Sequence, residues 1–393
     1  MGQIELRNVS LKMNGTEILS NINLTIADQE YFTIVGPTGA GKSSLIAIIA
    51  GLYQPTEGQI LFDNKDITHL PANQRNCGFM FESYALFPHL TVMNNICYAQ
   101  HMKTQNKKEI SILGQALLDL VKLTGRDFAF PAECSGGMQQ RVALARALMA
   151  LEKDGILILD EPFKALDAGL RLNLRREVHR IAKNKNLKIT TIHVTNDMEE
   201  AMIGDKIVVL NNGRIEQIGE PNQIMYSPRT RFVAEFFSTE LNSFTGTITA
   251  IDEIPDEPYL RIQTNTLHKV EIQTREGLTL YAKTSQINNG HSFQIGDHVE
   301  FLVRPQYFKA LHGHRKEKPN ALFGLVKQIK FMGSWFRMEV ELTQENGQEP
   351  KVIIAEVPAR RVTVYNFSIG EQITLYYASE YVLVFPLKNN NEK

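Results

Sequence analysis

The sequence predicts an α/β domain followed by an all-β domain, and three observations support this prediction. A glycine-rich turn, Gly36-Pro-Thr-Gly-Ala-Gly-Lys-Ser43, stands between an apolar run and a helix-like run. Apolar strands then alternate with helical segments to about residue 219, as in parallel α/β sheets. From about residue 241 short β-branched and aromatic strands are separated by Gly, Asn and Pro, which is typical of small barrels.

The length of the chain allows two or three domains, since it has 393 residues of which 43% are hydrophobic. We predict a first domain over residues 1–240 with a helical insertion at about 91–134, a second over 241–388, and a tail at 389–393. The tail is expected to be disordered.

The first domain opens with two predicted strands between Ile4 and Ile26, joined by a turn at Asn14-Gly15. This pair suits an antiparallel edge sheet. A strand at Tyr31–Val35 and a helix at Ser43–Leu52 then flank the glycine-rich turn, and helical periodicity returns at Ser111–Thr124 within the insertion.

The remainder of the first domain continues the alternation. Runs at 156–159 and 189–194 are apolar throughout, as expected for buried parallel strands, and residues 170–183 between them are amphipathic. Residues 206–210 and 214–218 flank Asn211-Asn212-Gly213 and predict a closing hairpin. In the second domain the clearest strands are 299–303, 336–342 and 372–377.

The glycine-rich turn has the sequence pattern of a loop that binds a nucleoside triphosphate. Glycines let backbone amides turn toward phosphate oxygens, Lys42 reaches the β- and γ-phosphates, and the Ser43 hydroxyl is a ligand for Mg²⁺. The helix that follows points its positive end at the anion. The candidate nucleotide-binding residues of this segment are Gly36, Pro37, Thr38, Gly39, Ala40, Gly41, Lys42, Ser43 and Ser44.

Two carboxylates at the end of a predicted buried strand supply the rest of such a site. Asp160 is expected to hold Mg²⁺ through water, and Glu161 to polarise the attacking water. Upstream, Ser135-Gly136-Gly137 precedes a long helix, and small residues at a helix start allow close approach to a phosphate. By itself this tripeptide is a weak signal that usually marks a loop, and its place before the Asp160 strand strengthens it.

Charge and cysteine content disfavour several other classes. The net charge of −1 gives no basic field for nucleic acid or an anionic membrane, so we expect no nucleic-acid partner. Three cysteines without metal-ligand spacing or a secretory leader suit free thiols in a reducing cytoplasm. Apolar runs fall short of the roughly 20 residues of a membrane helix, so a membrane role would depend on a partner.

The first domain resembles the ATP-binding-cassette (ABC) ATPases over about residues 3–237. The resemblance rests on four motifs in this order: the phosphate loop, the Ser135-Gly136-Gly137 helix, the Asp160-Glu161 strand and Ala165-Leu166-Asp167. The resemblance implies a P-loop NTPase fold with an antiparallel β subdomain. It also implies ATP and Mg²⁺ as cofactors, ATP hydrolysis as activity, and two domains that enclose ATP head to tail. The phosphate loop of one domain then faces the Ser135 turn and Asp167 of the other, which is an identical or a different ATPase subunit.

Residues 81–92 resemble the segment by which importer ATPases bind Mg²⁺ and contact a membrane permease subunit. The second domain resembles the OB/TOBE-like regulatory domain of maltose-, polyamine- and iron-type importer ATPases. The resemblance rests on Ile295-Gly296-Asp297, Val303-Arg304-Pro305, Asn320–Gly324 and Gly370-Glu371. The resemblance implies a peripheral subunit on the cytoplasmic face of the cell membrane, with permease subunits and an extracytoplasmic substrate-binding protein in the same complex. The second domain itself is either a dimerisation surface or a ligand site.

Several positions depart from the family pattern. The adenine-stacking aromatic falls at Met13, whose thioether covers a base face more weakly. The expected glutamine is Glu82, which can ligate Mg²⁺ but adds negative charge near the γ-phosphate. Met138 replaces a glutamine in the Ser135 turn, and Lys164 replaces a serine.

The switch histidine of the family falls at Asn196, which donates a neutral hydrogen bond. Losing a charge-assisted bond worth about 1.5 to 3 kcal/mol would slow hydrolysis about ten- to a hundredfold. His193 is three residues away on a strand and is expected to face the core rather than replace it.

Three functions remain open from sequence. The first is the ATPase subunit of an ABC importer with slow or asymmetric hydrolysis. The second is a largely non-hydrolysing ATP-binding partner of another ATPase, which Asn196 and Glu82 make plausible. The third is an ATPase acting on nucleic acid or ribosomes, which the net charge disfavours.

Overall fold

The structure, a computed structural model, describes residues 3–103, 106–152, 155–164, 168–184, 188–238, 240–254, 267–274, 277–285, 287–288, 291–343, 350–360 and 366–387. The chain divides into two units, Met1–Ile224 and Met225–Lys393. The predicted domain bounds at 240 and 388 stay a prediction.

The strands of the first unit are β1 (Ile4–Met13), β2 (Thr16–Ile26), β3 (Tyr31–Val35), β4 (Glu57–Phe62), β5 (Lys65–Asp66), β6 (Cys77–Met80), β7 (Ile156–Asp160), β8 (Thr190–Val194), β9 (Lys206–Asn211) and β10 (Arg214–Gly219). Its helices are α1 (Lys42–Ala50), α2 (Val92–Lys103), α3 (Lys107–Leu120), α4 (Gly136–Ala150), α5 (Ala168–Ala182) and α6 (Met198–Ala201). Helix α7 (Pro221–Tyr226) spans the division between the units.

A mainly parallel sheet organises the first unit. Among the described residues its strand order is β10-β9-β3-β8-β7-β6, with β10 antiparallel to β9 and the other neighbours parallel. Because parallel strands present their carboxyl ends at one edge, the segments that follow β3, β6, β7 and β8 all lie at the same edge. The predicted phosphate loop follows β3, Glu161 follows β7, and Asn196 follows β8.

Two apolar cores cover opposite faces of this sheet. Ile156 and Ile158 of β7 pack with helix α1 and the antiparallel strands β1 and β2, whereas Leu157 and Leu159 pack with α4 and α5. Successive side chains of β7 therefore point to opposite faces of the sheet, as expected for a strand that is buried on both faces.

The antiparallel sheet has the order β2-β1-β4-β5, and its β1–β2 hairpin confirms the strand pair predicted around Asn14-Gly15. Helices α2 and α3 lie within the predicted helical insertion and pack on each other and on α4. The sequence did not indicate β4 or β6, which are short and lack a distinctive pattern.

In the second unit the helix is α8 (Arg231–Phe236), and the strands are β11 (Asn242–Ile254), β12 (Leu267–Thr274), β13 (Thr279–Ser285), β14 (Ile287–Asn288), β15 (His291–Ser292), β16 (His298–Val303), β17 (Lys309–His312), β18 (Leu322–Phe331), β19 (Trp335–Leu342), β20 (Val352–Pro358), β21 (Gln372–Tyr376) and β22 (Val382–Pro386). In the described residues they form antiparallel sheets of order β13-β12-β11-β16-β22 and β17-β21-β18-β19-β20, plus the β14–β15 pair. The all-β prediction is confirmed.

The two larger sheets repeat one design. Asn242 and Asn320 each stand four residues before a glycine, Gly246 in β11 and Gly324 in β18. The side chain of Asn242 hydrogen-bonds both backbone groups of Ile354 in β20, at 2.8 Å each. The side chain of Asn320 does the same to Tyr281 in β13, at 2.9 and 2.6 Å. Each asparagine therefore joins its own sheet to the other one.

Within the described residues, no helix is long and apolar enough to cross a membrane.

Candidate functional site

The glycine-rich turn has the backbone shape of an anion-binding loop. Gly39 has a φ of +83°, in the left-handed region that favours glycine. A Cβ at Gly36 would lie 2.1 Å from the carbonyl oxygen of Leu210, so β9 passes too close for any side chain. The loop conformation therefore depends on these two glycines.

Lys42 begins helix α1 and folds back over the loop. Its ammonium donates to the carbonyl oxygens of Gly36 at 2.7 Å and Pro37 at 3.0 Å. Burial lowers the pKa of Lys42, and the carboxylates of Glu161 and Asp160 oppose this shift. The ammonium is thus positioned between the loop and the strand carboxylates, where a triphosphate would compete for it.

Ser43 and Asp160 come from α1 and β7 and meet at the carboxyl edge of the sheet. The Ser43 Oγ lies 3.5 Å from Asp160 Oδ1. A hydroxyl and a carboxylate are hard oxygen donors of the kind that Mg²⁺ takes, so the pair fits this ion. Burial raises the pKa of Asp160, and its hydrogen bond with Ser43 partly offsets the shift.

Glu161 is held in an uncommon backbone conformation. Its φ is +47°, and its N–H donates to the carbonyl oxygen of Val194 at 3.0 Å. Non-glycine residues in this region cost about 1 to 3 kcal/mol and cluster at functional sites. Burial raises the pKa of Glu161, partly offset by a hydrogen bond from the backbone N–H of Asn196. A raised pKa makes the carboxylate a better proton acceptor.

Asn196 follows β8 with an exposed side chain above a buried polar cluster. The Thr195 hydroxyl donates to the Glu200 carboxylate at 2.6 Å, and Arg175 contacts the same carboxylate at 3.3 Å. His193 is fully buried, with Nδ1 3.0 Å from the Tyr31 hydroxyl oxygen, so it faces the core as expected. The cluster fixes the turn that presents Asn196 beside Glu161.

Glu82 follows β6, next to the end of β7, and pairs with Lys164. The Lys164 ammonium donates to Glu82 Oε1 at 2.6 Å, and this bond and the charge of Glu82 raise the pKa of Lys164. The sequence marked each residue as a departure, but only the structure shows that the two are partners.

Comparisons with known proteins agree with this geometry. A model of the ABC transporter family matches residues 19–164. The spermidine/putrescine import ATP-binding protein of Pasteurella multocida is 41% identical over 375 residues, which cover 95% of this chain and 94% of that protein. The chain belongs to the ABC transporter ATP-binding subunits.

Other relatives extend the match. The sulfate/thiosulfate import ATP-binding protein of Halalkalibacterium halodurans is 43% identical over 250 residues, covering 62% of this chain and 69% of that protein. The dimeric structure of a bacterial ABC transporter cassette aligns with a TM-score of 0.51 and 30% identity, covering 56% of this chain and 98% of that one. These findings confirm the predicted fold class, the ATPase activity of an importer subunit, and ATP and Mg²⁺ as ligands.

The Ser135 turn of this ABC ATPase faces solvent. Ser135 caps α4 by accepting from the Met138 N–H at 3.3 Å, and Gly136 is exposed with open space where a Cβ would lie. The Met138 side chain is half-buried and packs against the apolar core. The turn is therefore accessible to a second subunit.

Two other residues of the ABC ATPase were predicted to contact nucleotide, Met13 and Asp167. Met13 is exposed at the hairpin end of β1, where it pairs with Thr16 of β2. Strand β2 passes close to the phosphate loop, since a Cβ added at Gly41 would contact Ile18 and Leu19. Asp167 lies outside the described residues.

Arg75 is a supporting residue that the sequence did not indicate. It is 2% exposed, and its guanidinium donates to the carbonyls of Ile48 and Ile49 at the end of α1, and to those of Leu70 and Thr68. It thereby satisfies the last carbonyls of the helix that carries Lys42 and Ser43. A single Arg in a loop carries no sequence signal for this role.

Proposed function

We propose that this chain is a slow ATPase subunit of an ABC importer, peripheral to the cytoplasmic face of the cell membrane. The observation that supports it best is the meeting of Ser43 and Asp160 at 3.5 Å, beside the strained Glu161. A domain that only binds MgATP would need Ser43 and Asp160 for the metal, but it would have no need for the proton-accepting carboxylate of Glu161.

The proposed roles follow from the position of each group. Backbone N–H groups of residues 36–44, apart from Pro37, which has none, cradle the phosphates, and Lys42 exchanges its loop carbonyls for phosphate oxygens. Ser43, Asp160 and Glu82 hold Mg²⁺, which neutralises charge on the triphosphate. Glu161 accepts a proton from the attacking water, and Asn196 donates a neutral hydrogen bond near the γ-phosphate.

A second ABC ATPase subunit completes the site. Ser135, Gly136, Gly137, Met138 and Asp167 are proposed to act on the nucleotide of that subunit, while Met13 covers the adenine of this one. The exposed Ser135 turn and the relatives solved as dimers support this arrangement. Closure on MgATP and reopening after hydrolysis would then drive transport.

Membrane permease subunits are the proposed contact of residues 82–92, with an extracytoplasmic substrate-binding protein in the complex. Relatives with this architecture serve import of sulfate or thiosulfate, which are anions, and of spermidine or putrescine, which are cations. We therefore place substrate choice in those other subunits.

The substitution Asn196→His tests the proposal. The exposed side chain leaves room for an imidazole, and its charge would strengthen the hydrogen bond to the transferring phosphate. We expect kcat for ATP hydrolysis to rise about ten- to a hundredfold, with little change in MgATP affinity.

Asn196→Ala is the control and should hydrolyse no faster than the wild type. If neither the wild type nor Asn196→His turns over ATP while both bind it tightly, the chain is the non-hydrolysing partner of another ATPase.

A further inference from the structure

The Glu82–Lys164 pair joins two segments of the nucleotide site. Glu82 follows β6, and Lys164 lies in the turn after β7, where its N–H donates to the Glu161 carbonyl at 3.3 Å. Both side chains act electrostatically on Lys42, and Lys164 acts on Asp160 and Glu161. The pair therefore lies within the charge cluster that receives the triphosphate.

We infer that Lys164 is a positioning residue of the nucleotide site: it holds and neutralises Glu82, so that the two side chains act as one unit beside the phosphates. The inference rests on the proposed MgATP site and assigns a role to a residue that the reaction scheme above does not use.

Stability does not account for the pair. The Lys164 and Glu82 side chains are 59% and 51% exposed, and ion pairs this exposed contribute little to folding because water screens them and both side chains lose rotamer freedom. Its effect is instead on the electrostatic field of the site.

The charge balance shows what that effect is. The cluster holds two ammonium groups, Lys42 and Lys164, and three carboxylates, Asp160, Glu161 and Glu82, for a formal charge of −1. Removing the pair leaves one ammonium and two carboxylates, again −1. Removing only Lys164 leaves −2, which repels an incoming triphosphate.

A mutant cycle tests the inference, with binding of the magnesium complex of AMPPNP, a non-hydrolysable ATP analogue, measured by isothermal titration calorimetry. At low ionic strength we expect Lys164→Ser to raise Kd about tenfold, because an uncompensated carboxylate then faces the phosphates. Glu82→Gln keeps a side-chain oxygen that can ligate Mg²⁺ and removes only the negative charge, so it should bind at least as tightly as the wild type. The double variant should return to within about twofold of the wild type.

The salt dependence gives a second readout. The loss in Lys164→Ser should shrink as ionic strength rises, since exposed charges are screened within about 10 Å at 0.1 M. Lys103→Ser is the matched control, because Lys103 forms a similarly exposed pair with Glu152 at 2.9 Å outside the site. It should leave Kd unchanged.

Three results would overturn the inference: unchanged binding in Lys164→Ser, a double variant as weak as Lys164→Ser, or a loss in Glu82→Gln alone. The second would mean that Lys164 contacts phosphate by itself. A wild type that fails to bind the analogue would instead contradict the proposed function, so the two failures are distinguishable.

Discussion

At the scale of single residues, Glu161 combines two unfavourable features. It has a left-handed backbone conformation and a buried carboxylate whose pKa is raised by burial. Both are kept at the carboxyl edge of the sheet, where the proposed chemistry needs a carboxylate that accepts a proton. The site therefore reduces the stability of the fold.

Replacing Glu161 with Gln should separate activity from stability. We expect the ATPase rate to fall at least about a hundredfold, the usual contribution of a general base. The melting temperature should rise, because the variant no longer buries a charged carboxylate. Both are measured on the purified chain by phosphate release and by calorimetry.

The pH dependence of this gain has a definite sign. A carboxyl with a raised folded-state pKa destabilises the fold above that pKa, and the cost disappears as the pH falls through it and the group protonates. The difference in melting temperature should therefore be largest near neutral pH and shrink in acid. Glu17→Gln, on the exposed part of β2, is the control. A variant less stable than the wild type at neutral pH would contradict the prediction.

Sequence reasoning identified Glu82 and Lys164 separately, and it weighed Glu82 both as a Mg²⁺ ligand and as added negative charge near the γ-phosphate. It could not pair them, because their contact depends on β6 lying next to β7, and β6 is a four-residue strand without a distinctive pattern. The structure shows that the added negative charge has a positive partner.

At the scale of elements, the second unit is braced by two buried asparagines. Asn242 and Asn320 are 6% and 4% exposed, and each satisfies an N–H and a carbonyl of a strand in the other sheet. Asn320 also has a φ of +51°, which asparagine tolerates better than most residues.

We expect Asn242→Ala to lower the free energy of unfolding of this unit by about 2 to 4 kcal/mol, because two strand groups lose their partners in the interior. Asn320→Ala should cost more, since it also places alanine at a positive φ. Urea unfolding followed by fluorescence of Trp335, the single tryptophan of the chain, reports on this unit.

Gln328→Ala, an exposed change on β18, should stay within about 0.5 kcal/mol of the wild type. Equal stability of Asn242→Ala and the wild type would show that the cross-sheet bonds contribute nothing.

Helix α1 shows the same dependence on distant partners. The sequence of the glycine-rich turn predicts where the helix begins, with Lys42 and Ser43 in its first turn. The carbonyls at its C-terminal end, by contrast, accept hydrogen bonds from Arg75 in a later loop. Sequence patterns describe contacts within a few residues, and this one spans 26 and 27 positions.

At the scale of the whole molecule, the proposed site is divided between two subunits. Lys42 belongs to one half and the Ser135 turn to the other, so a symmetric dimer would contain two composite sites. A change at Lys42 and a change at Gly136 would then damage different halves of each site.

Mixing two inactive variants tests this division. Lys42→Met removes the ammonium, and Gly136→Asp adds a carboxylate where the structure has open space, so the second variant should fold normally. In an equal mixture half of the dimers are mixed, and each of these has one intact site of two. We expect about a quarter of the wild-type ATPase rate to return.

Each variant alone should stay inactive. If the mixture also stays inactive while each variant is folded, the chain does not pair with itself, and its proposed partner is a different ATPase subunit.

The sequence by itself determined the division into an α/β and an all-β domain, the phosphate loop, the Asp160-Glu161 strand end and the ABC family. Each of these depends on a short run of residues with a fixed hydrophobic period or a fixed sequence motif. Tertiary structure alone decided that Glu82 pairs with Lys164, that Arg75 holds the end of α1, and that two asparagines join the β sheets. Each of these is a contact between side chains or backbone groups far apart in the chain. Such contacts are set by which strands and loops become neighbours, and no local pattern encodes that.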